Sequence, residues 1–316
     1  MEGISRRRFI KLLGLGAGGL FLTKLFARVG LAQTGKAKFN GRPQRKIKTE
    51  HDLVAVKGEN PAAITRKAVE MLGGMSRFVK PGAIVVVKPN IGWDRSPEYA
   101  ANTNPEVVAE VVKMCFEAGA KRVNVFDNTC NSQERCYQNS GIKKAAQGQG
   151  AKVYFVDQWN VVKAQFPFDS SMENFPIFRD AVECDTFINV PVLKHHGSTR
   201  LTLGMKNLMG VCGGNRGLMH VALGPKIFDV TRFINPELTI IDSYRYLNRH
   251  GPSGGDLKDV ELRKTVIASA DILLADVYAS RFVDVDPNAV AYIAKAIEAG
   301  MGSASLAGKD IIEAKI

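Results

Sequence analysis

Several motifs that bind cofactors or metals are absent from this chain, and each absence excludes a class of site. The sequence contains five cysteines, but no two of them have the CxxC spacing. The ligand sets of ferredoxin-type iron–sulfur clusters and of zinc ribbons are therefore missing. No His-Glu-x-x-His motif occurs, and the glycine-rich residues 212–217 match neither Walker nor dinucleotide-binding spacing. Cys130 and Cys136, which lie close together in a polar stretch, are instead candidates for a disulfide in an oxidising compartment.

Long apolar runs are also missing. The most apolar uncharged stretch, residues 12–22, is shorter than the roughly 20 residues that a membrane-spanning helix needs. Residues 1–32 hold six Lys or Arg and one Glu, so they supply +5 of the net charge of +12 and leave +7 on the rest of the chain. This moderate positive excess favours anionic ligands or an anionic surface, but no aromatic-rich basic patch accompanies it. We therefore predict a globular protein with no stable membrane span and no nucleic-acid partner.

The N-terminal residues have the layout of a twin-arginine export signal. Residues 5–11 read Ser-Arg-Arg-Arg-Phe-Ile-Lys, a glycine-rich apolar segment follows, and small residues at Gly30 and Ala32 suit cleavage. We interpret residues 1–32 as a signal peptide whose partner is the twin-arginine translocase. This pathway carries folded proteins, so we expect the chain in the periplasm or cell envelope.

After a polar linker at residues 33–50, the pattern predicts one α/β domain over residues 51–316. Short β-branched runs without alternation are separated by helical segments, which is typical of a parallel sheet covered on both faces. We predict a doubly wound, mostly parallel sheet with helices on both faces. The runs predicted as strands are residues 83–87, 123–126, 153–156, 186–190, 238–241 and 266–268.

Polar side chains follow several of these predicted strands. In doubly wound folds, ligands bind outside the carboxyl ends of the strands. Lys88 and Asn90 come after the first run, Asp127 after the second, and Asp242 after residues 238–241. We predict that Lys88 and Asn90 bind a cofactor and that Asp127 and Asp242 act as acid/base groups or metal partners; helix caps are the structural alternative for the acids.

The densest group of candidate residues lies in two neighbouring segments, residues 188–197 and 203–210. Lys194, His195 and His196 emerge together after a strand, and Lys206 and Asn207 follow among glycines. We predict that Lys194, Lys206 and Asn207 bind an anionic cofactor. The two histidines are predicted as catalytic groups and as metal ligands, because a neutral imidazole can transfer protons or bind a metal. A solvated basic loop is the structural alternative.

These residues carry a resemblance to a known family. The Val-Lys-Pro-Asn at residues 87–90, the two segments just described and the Ile-Asp at residues 241–242 together resemble the domain of unknown function 362 family over roughly residues 50–280. Some members of that family join the domain to ferredoxin-type modules, which this chain lacks. The family resemblance implies an α/β fold and leaves the reaction unassigned.

A more distant likeness is to the N-terminal domain of the nickel-pincer lactate racemase family. That likeness implies that Lys194, His195, His196 and Lys206 contact a phosphorylated nickel cofactor.

The sequence favours an exported protein that binds an anionic ligand, phosphorylated or metal-bearing, as an enzyme or as an accessory protein for a redox or metal cofactor. Two alternatives stay open: a non-catalytic envelope protein that docks an acidic partner protein, and a racemase-like enzyme with the nickel cofactor. Whether the chain is an enzyme is left undecided at this point.

Overall fold

The computed structural model describes residues 40–166, 170, 172 and 175–316. The predicted signal peptide and the first part of the predicted linker lie outside the described residues. The strands of the described part are β1 (Leu53–Lys57), β2 (Ile84–Pro89), β3 (Arg122–Val125), β4 (Lys152–Val153), β5 (Val161–Lys163), β6 (Pro176–Phe178), β7 (Thr186–Val190), β8 (Val192–His196), β9 (Arg200–Thr202), β10 (Leu238–Leu247), β11 (Val260–Ser269) and β12 (Ile311–Lys315).

The helices of the described part begin where the capping pattern indicates. Asn60 and Asn104 accept backbone hydrogen bonds at the starts of the first two helices, and a proline follows each of them. The α-helices are α1 (Pro61–Met71), α2 (Pro105–Glu117), α3 (Gln133–Asn139), α4 (Ile142–Gly148), α5 (Arg179–Glu183), α6 (Gly204–Asn207), α7 (Leu223–Ile234), α8 (Ile272–Phe282) and α9 (Ala291–Glu298).

In the described part of the chain, one 10-stranded sheet dominates the fold, and its main order is β12-β1-β11-β10-β7-β2-β3-β4. Strands β10, β7, β2, β3 and β4 run parallel, whereas β11 is antiparallel to both of its neighbours. Strand β8 extends the sheet beside β10 and forms a hairpin with β9. Because β2, β3 and β7 are parallel neighbours, their carboxyl ends lie along one edge.

Helices cover both faces of the sheet, as predicted. Alternate residues of a strand point to opposite faces, so Val85 and Val87 pack on one side and Val86 packs on the other. The first side carries α1, α2 and α4, with Ile64 among the buried residues. The second carries α7, α8 and α9, with Ile227 among them. The near-continuous apolar character of the predicted strands therefore follows from burial on both faces.

Part of the predicted linker belongs to the domain. The guanidinium of Arg42 forms a bidentate ion pair with Glu237, at 2.9 and 2.8 Å, and both side chains are 1% exposed. Arg42 also donates to the carbonyl oxygen of Cys184, and Glu237 accepts from the backbone of Phe187. The polar and basic composition of residues 33–50 predicted a linker, but Arg42 is a buried part of the domain.

Among the helices of the described residues, none has both the length and the apolar character needed to cross a bilayer.

Candidate functional site

A buried ion pair lies at the carboxyl ends of β2 and β3. The Nζ of Lys88 lies 2.8 Å from Oδ1 of Asp127, and the two side chains are 0% and 3% exposed. The other carboxylate oxygen of Asp127 accepts a 2.7 Å hydrogen bond from the backbone N–H of Ile91. A single buried charge is costly, so each partner compensates the other. The two predicted residues are therefore an ion pair rather than two separate charges.

Gly210 lies against this pair without a side chain. A Cβ at this position would lie 1.7 Å from Oδ1 of Asp127 and 2.6 Å from Cε of Lys88. The glycine is thus required for space, because the backbone of residues 208–211 passes directly over the ion pair.

Asn207 connects the segment after β9 to the ends of β2 and β7. Its Oδ1 accepts from Nζ of Lys88 at 3.0 Å and from Nδ2 of Asn90 at 3.3 Å. Its Nδ2 donates to the carbonyl oxygen of Lys88 at 3.1 Å and to Oδ1 of Asn189 at 2.9 Å. Both ends of the amide are therefore engaged, which fixes its orientation and that of the lysine.

Asp276 fixes the start of the same segment, at Gly204 and Met205, through backbone hydrogen bonds. Its carboxylate, fully buried, accepts from the backbone N–H groups of Gly204 at 2.7 Å and Met205 at 2.9 Å. Burial raises the pKa of Asp276 to about 7, although the two backbone hydrogen bonds oppose the shift. Asp276 lies inside α8 and caps the start of α6.

The residues predicted as a basic loop after β7 form a strand, β8. Lys194 pairs with Thr202 of β9, and these two side chains line one cavity together with that of His196. His195 does not line it; its Nδ1 accepts from the backbone N–H of Gly251 at 3.2 Å. Successive side chains of a strand point to opposite faces, so the two imidazoles do not converge on one cation position. The predicted metal pair is therefore not assembled.

The ammonium group of Lys194 is almost completely buried, with the side chain donating to Oδ1 of Asn90 at 3.1 Å and to the carbonyl oxygen of Ala101. Burial lowers the pKa of Lys194 to about 7. The positive charge of Lys206 lowers it further, while Cys130 opposes the shift. A lysine with this pKa can change its protonation state near neutral pH.

His196 is neutral at physiological pH. Burial is the main cause that lowers its pKa to about 3, and the cations Lys206 and Lys194 add to the effect. Its Nδ1 accepts a 3.1 Å hydrogen bond from the backbone N–H of Ser198, which leaves the ring proton on Nε2. The ring is thus a hydrogen-bond donor toward a ligand rather than a cation.

These elements surround a cavity of about 310 Å³. The cavity brings together the following predicted site residues: Asn90, Asp127, Lys194, His196, Lys206 and Asn207. Lys88 contacts it through Asp127. Asp127 is the one carboxylate among the described residues that line the cavity, so its lining has a net positive charge when the lysines are protonated.

Asp242 lies outside this cavity. Its Oδ2 accepts from the backbone N–H of Asn104 at 2.7 Å, and its Oδ1 accepts from that of Tyr244 at 3.0 Å. Burial raises its pKa to about 6, although these hydrogen bonds oppose the shift. The carboxylate connects β10 to the start of α2. The strand-end argument fails here because β10 continues to Leu247, so Asp242 is a mid-strand residue.

Sequence reasoning missed several residues of the cavity. Thr202 is 3% exposed, and its buried Oγ1 has no hydrogen-bond partner among the described residues. The ring centre of Trp93 lies 5.9 Å from Nζ of Lys194. Alternation across the β8–β9 hairpin could have identified Thr202, but these strands are short and polar. His220 and Cys130 also line the cavity.

Two further patterns carry no site in this structure. Cys130 and Cys136 are both free thiols, and burial raises the pKa of Cys136 to about 11. Residues 251–255 have the Gly-x-Ser-x-Gly spacing of a hydrolase nucleophile, but they lie in the connection between the antiparallel strands β10 and β11. A nucleophile elbow needs a strand followed by a helix.

Among the described residues, no group of three or more His, Cys, Asp or Glu side chains could hold a metal ion.

Comparison with known proteins found likenesses at three levels. The lactate racemase apoprotein from Thermoanaerobacterium thermosaccharolyticum is similar in structure, with a TM-score of 0.43 and 12% identity. The likeness covers 79% of this chain and 62% of that protein, so this chain spans less than two thirds of its length. Similarity at this level does not carry an activity over.

The thylakoid-associated protein sll1697 of Synechocystis is 30% identical over 234 residues, which are 71% of this chain and 70% of that protein. A family model described as domain of unknown function (DUF362) matches residues 85–281, a range that includes β2, β3, β7 and β8. The resemblance inferred from the motifs around Lys88, Lys194 and Lys206 is thereby confirmed, and the chain belongs to the DUF362 family.

Proposed function

We propose that this protein binds a small anionic ligand, bearing a phosphate or carboxylate group, in the cavity at the carboxyl edge of the sheet. The observation that carries the proposal is the charge of the cavity. Lys194 and Lys206 line it, whereas Asp127 is the one acid among the described lining residues and is paired with the buried Lys88. A concave site with an excess of one charge attracts ligands of the opposite charge.

Neutral donors support the same ligand class. The Nε2–H of His196 and the hydroxyl of Thr202 belong to side chains that line the cavity, and the hydroxyl oxygen has no hydrogen-bond partner in the part of the chain that the structure describes. Buried polar atoms are nearly always hydrogen-bonded in native proteins. A ligand with several acceptor oxygens would satisfy these donors and the ammonium groups together.

Lys194 is the group through which the site would act chemically. With a pKa of about 7, it can take up or release a proton without a change of environment. We propose that it exchanges a proton with the bound ligand, and that Asp127 and Lys88 position the ligand instead of reacting with it. This assignment differs from the expectation that the two histidines and two aspartates are the catalytic groups.

Tryptophan fluorescence tests the binding proposal. The chain has two tryptophans, Trp93 in the cavity and Trp159, which is 92% exposed. A Trp159→Phe protein therefore carries one reporter, in the site. We expect saturable changes in its emission on titration with phosphoglycolate, which carries both a phosphate and a carboxylate.

In the same background, Lys206→Met should weaken binding by roughly tenfold or more, because a hydrogen bond to a charged group is worth about 1.5–3 kcal/mol. The matched control is Lys113→Met on α2, whose side chain is 52% exposed and does not line the cavity. Equal affinities for the two variants would contradict the proposal.

The pH dependence of binding tests the role of Lys194. Protonated Lys194 attracts an anion, so affinity should fall as pH rises through about 7. In Lys194→Met this fall should disappear while weaker binding through Lys206 remains. A pH profile that is the same in both proteins would show that Lys194 does not titrate against the ligand.

The cavity residues fit the phosphate group of a phosphorylated nickel cofactor but not its metal. Lys194, His196 and Lys206 line the cavity and suit a phosphate, but His195 does not line it. The described residues provide no set of metal ligands. Metal analysis and mass spectrometry of protein purified from its native envelope test for this cofactor.

A further inference from the structure

Three large apolar side chains are exposed on two segments, one of which contributes His220 to the lining of the cavity. Trp159 is 92% exposed, Val221 67% and Leu218 56%. Trp159 lies in the turn that precedes β5, while Leu218 belongs to the 3-10 helix Arg216–His220, with Val221 directly after it. We call these three residues the apolar rim.

Hydrogen bonds connect both segments to the cavity. The backbone N–H of Gly214 donates to Oε1 of Gln158, the residue before Trp159, at 3.2 Å. Two residues earlier, the carbonyl oxygen of Cys212 accepts a 2.9 Å hydrogen bond from Nδ2 of Asn128, which lines the cavity. His220, which lies between Leu218 and Val221 in the sequence, lines the cavity itself. The apolar rim is therefore attached to the anion site by short covalent and hydrogen-bonded connections.

This combination of a cationic cavity and apolar side chains beside it is chemically specific. A small soluble anion would use the lysines and leave the apolar rim in water. An amphiphile with a phosphate headgroup would use both, with the headgroup in the cavity and its apolar part against the rim. At about 310 Å³ the cavity is at the small end of ligand sites, which suits a headgroup without its chains.

A membrane surface is the setting in which such side chains are stable. Tryptophan favours the boundary between headgroups and acyl chains, because its ring is apolar and its N–H is polar. Residues 33–316 carry +7 of the total net charge of +12, because residues 1–32 hold six Lys or Arg and one Glu, and this positive charge attracts the chain to anionic lipid. Both properties act together with the lysines of the cavity.

We propose that the cavity binds the phosphate headgroup of a membrane phospholipid, with Trp159, Leu218 and Val221 inserted at the lipid surface. This inference rests on the proposed anion site, since the same lysines contact the headgroup. It adds the class of ligand and the surface from which the ligand is presented.

Vesicle flotation of the full chain tests the proposal. The vesicles are phosphatidylcholine with or without phosphatidic acid, whose headgroup is a phosphate monoester. A triple variant with Trp159→Ser, Leu218→Ser and Val221→Ser removes the apolar rim. The control variant, Leu257→Ser with Leu262→Ser, removes side chains that are 52% and 60% exposed and lie outside the two rim segments. The N-terminal residues are the same in all proteins, so their contribution cancels.

We expect the wild-type protein and the control to float with phosphatidic acid vesicles, and the rim variant to bind them roughly tenfold more weakly. Binding of phosphoglycolate, measured from Trp93, should stay within about twofold in the rim variant, since the lysines are untouched. Rim-independent flotation would overturn the proposal, as would equal binding to vesicles without phosphatidic acid.

Failure of this inference and failure of the proposed function give different results. Binding of phosphoglycolate without flotation overturns the membrane inference alone and leaves a soluble anion as the ligand. If neither probe binds and Lys206→Met changes nothing, the anion site is overturned as well. Rim-dependent capture of a protein partner without vesicle binding also counts against the lipid.

Discussion

Gly210→Ala is the substitution whose effect follows most directly from the geometry of the site. The added Cβ would lie 1.7 Å from Oδ1 of Asp127 and 2.6 Å from Cε of Lys88, well inside contact distance. Gly210 does not have a positive φ, so the alanine backbone is not strained and the clash is the whole effect. To remove this clash, the buried ion pair of Lys88 and Asp127, now 2.8 Å apart, must separate. Breaking a buried pair costs about 3–5 kcal/mol, a large part of the roughly 5–15 kcal/mol that stabilises a typical domain.

Chemical denaturation measures this loss as a fall in the free energy of unfolding, and phosphoglycolate binding should weaken in parallel. Gly148→Ala on α4 is the matched control, because nothing lies within 4 Å of the Cβ position there. It should leave stability unchanged or raise it by up to about 1 kcal/mol. Combined with Asp127→Ala, Gly210→Ala should cost less than it does alone, since its nearest obstacle is gone. A Gly210→Ala protein within about 0.5 kcal/mol of wild type would refute the steric reasoning.

Two further predictions concern the N-terminal part of the chain. Arg42→Met leaves Glu237 buried without its partner and should lower the free energy of unfolding by about 3–5 kcal/mol in a denaturation experiment; a loss below about 1 kcal/mol would show that the pair is not a structural anchor. Replacing both Arg6 and Arg7 by Lys keeps the charge but loses the guanidinium geometry. We propose export through the twin-arginine pathway, so this variant should accumulate in the cytoplasm with its presequence attached, as cell fractionation and intact mass would show; normal processed protein outside the membrane would contradict it.

The sequence was sufficient for the central strands and for much of the site because both are local properties. Residues 186–190 were predicted as a strand with the bounds that β7 has, since a buried parallel strand is a continuous apolar run. The ends of such strands share one edge by topology, so Lys88 and Asp127 could be predicted at the same place without knowing that they touch. The 2.8 Å contact itself depends on β2 and β3 being neighbours, which no short motif encodes.

The incorrect assignments at β8, β9 and β10 have one physical cause, which is that polar stretches of a strand give no hydrophobic signal. Strand β8 carries Lys194, His195 and His196, so its sequence indicates a loop although it pairs with β10 and β9. Once it is a strand, alternation separates the histidines and brings Thr202 opposite Lys194. Asp242 was misplaced for the same reason. The apolar run ends at Ile241, but the strand continues through polar residues to Leu247.

Residues 206–210 form a short segment that contacts the cavity on one side and the buried ion pair of Lys88 and Asp127 on the other. Lys206 lines the cavity, the next residue, Asn207, is tied to Lys88 and Asn189, and Gly210 passes over the ion pair with no room for a side chain. Asp276 fixes the start of this segment from the opposite side. One short segment therefore places Lys206 in the lining of the cavity while it holds the buried Lys88 in position. Because Asp276, Asn207 and Gly210 fix the backbone on both sides of Lys206, the point from which its side chain enters the cavity is set by the fold.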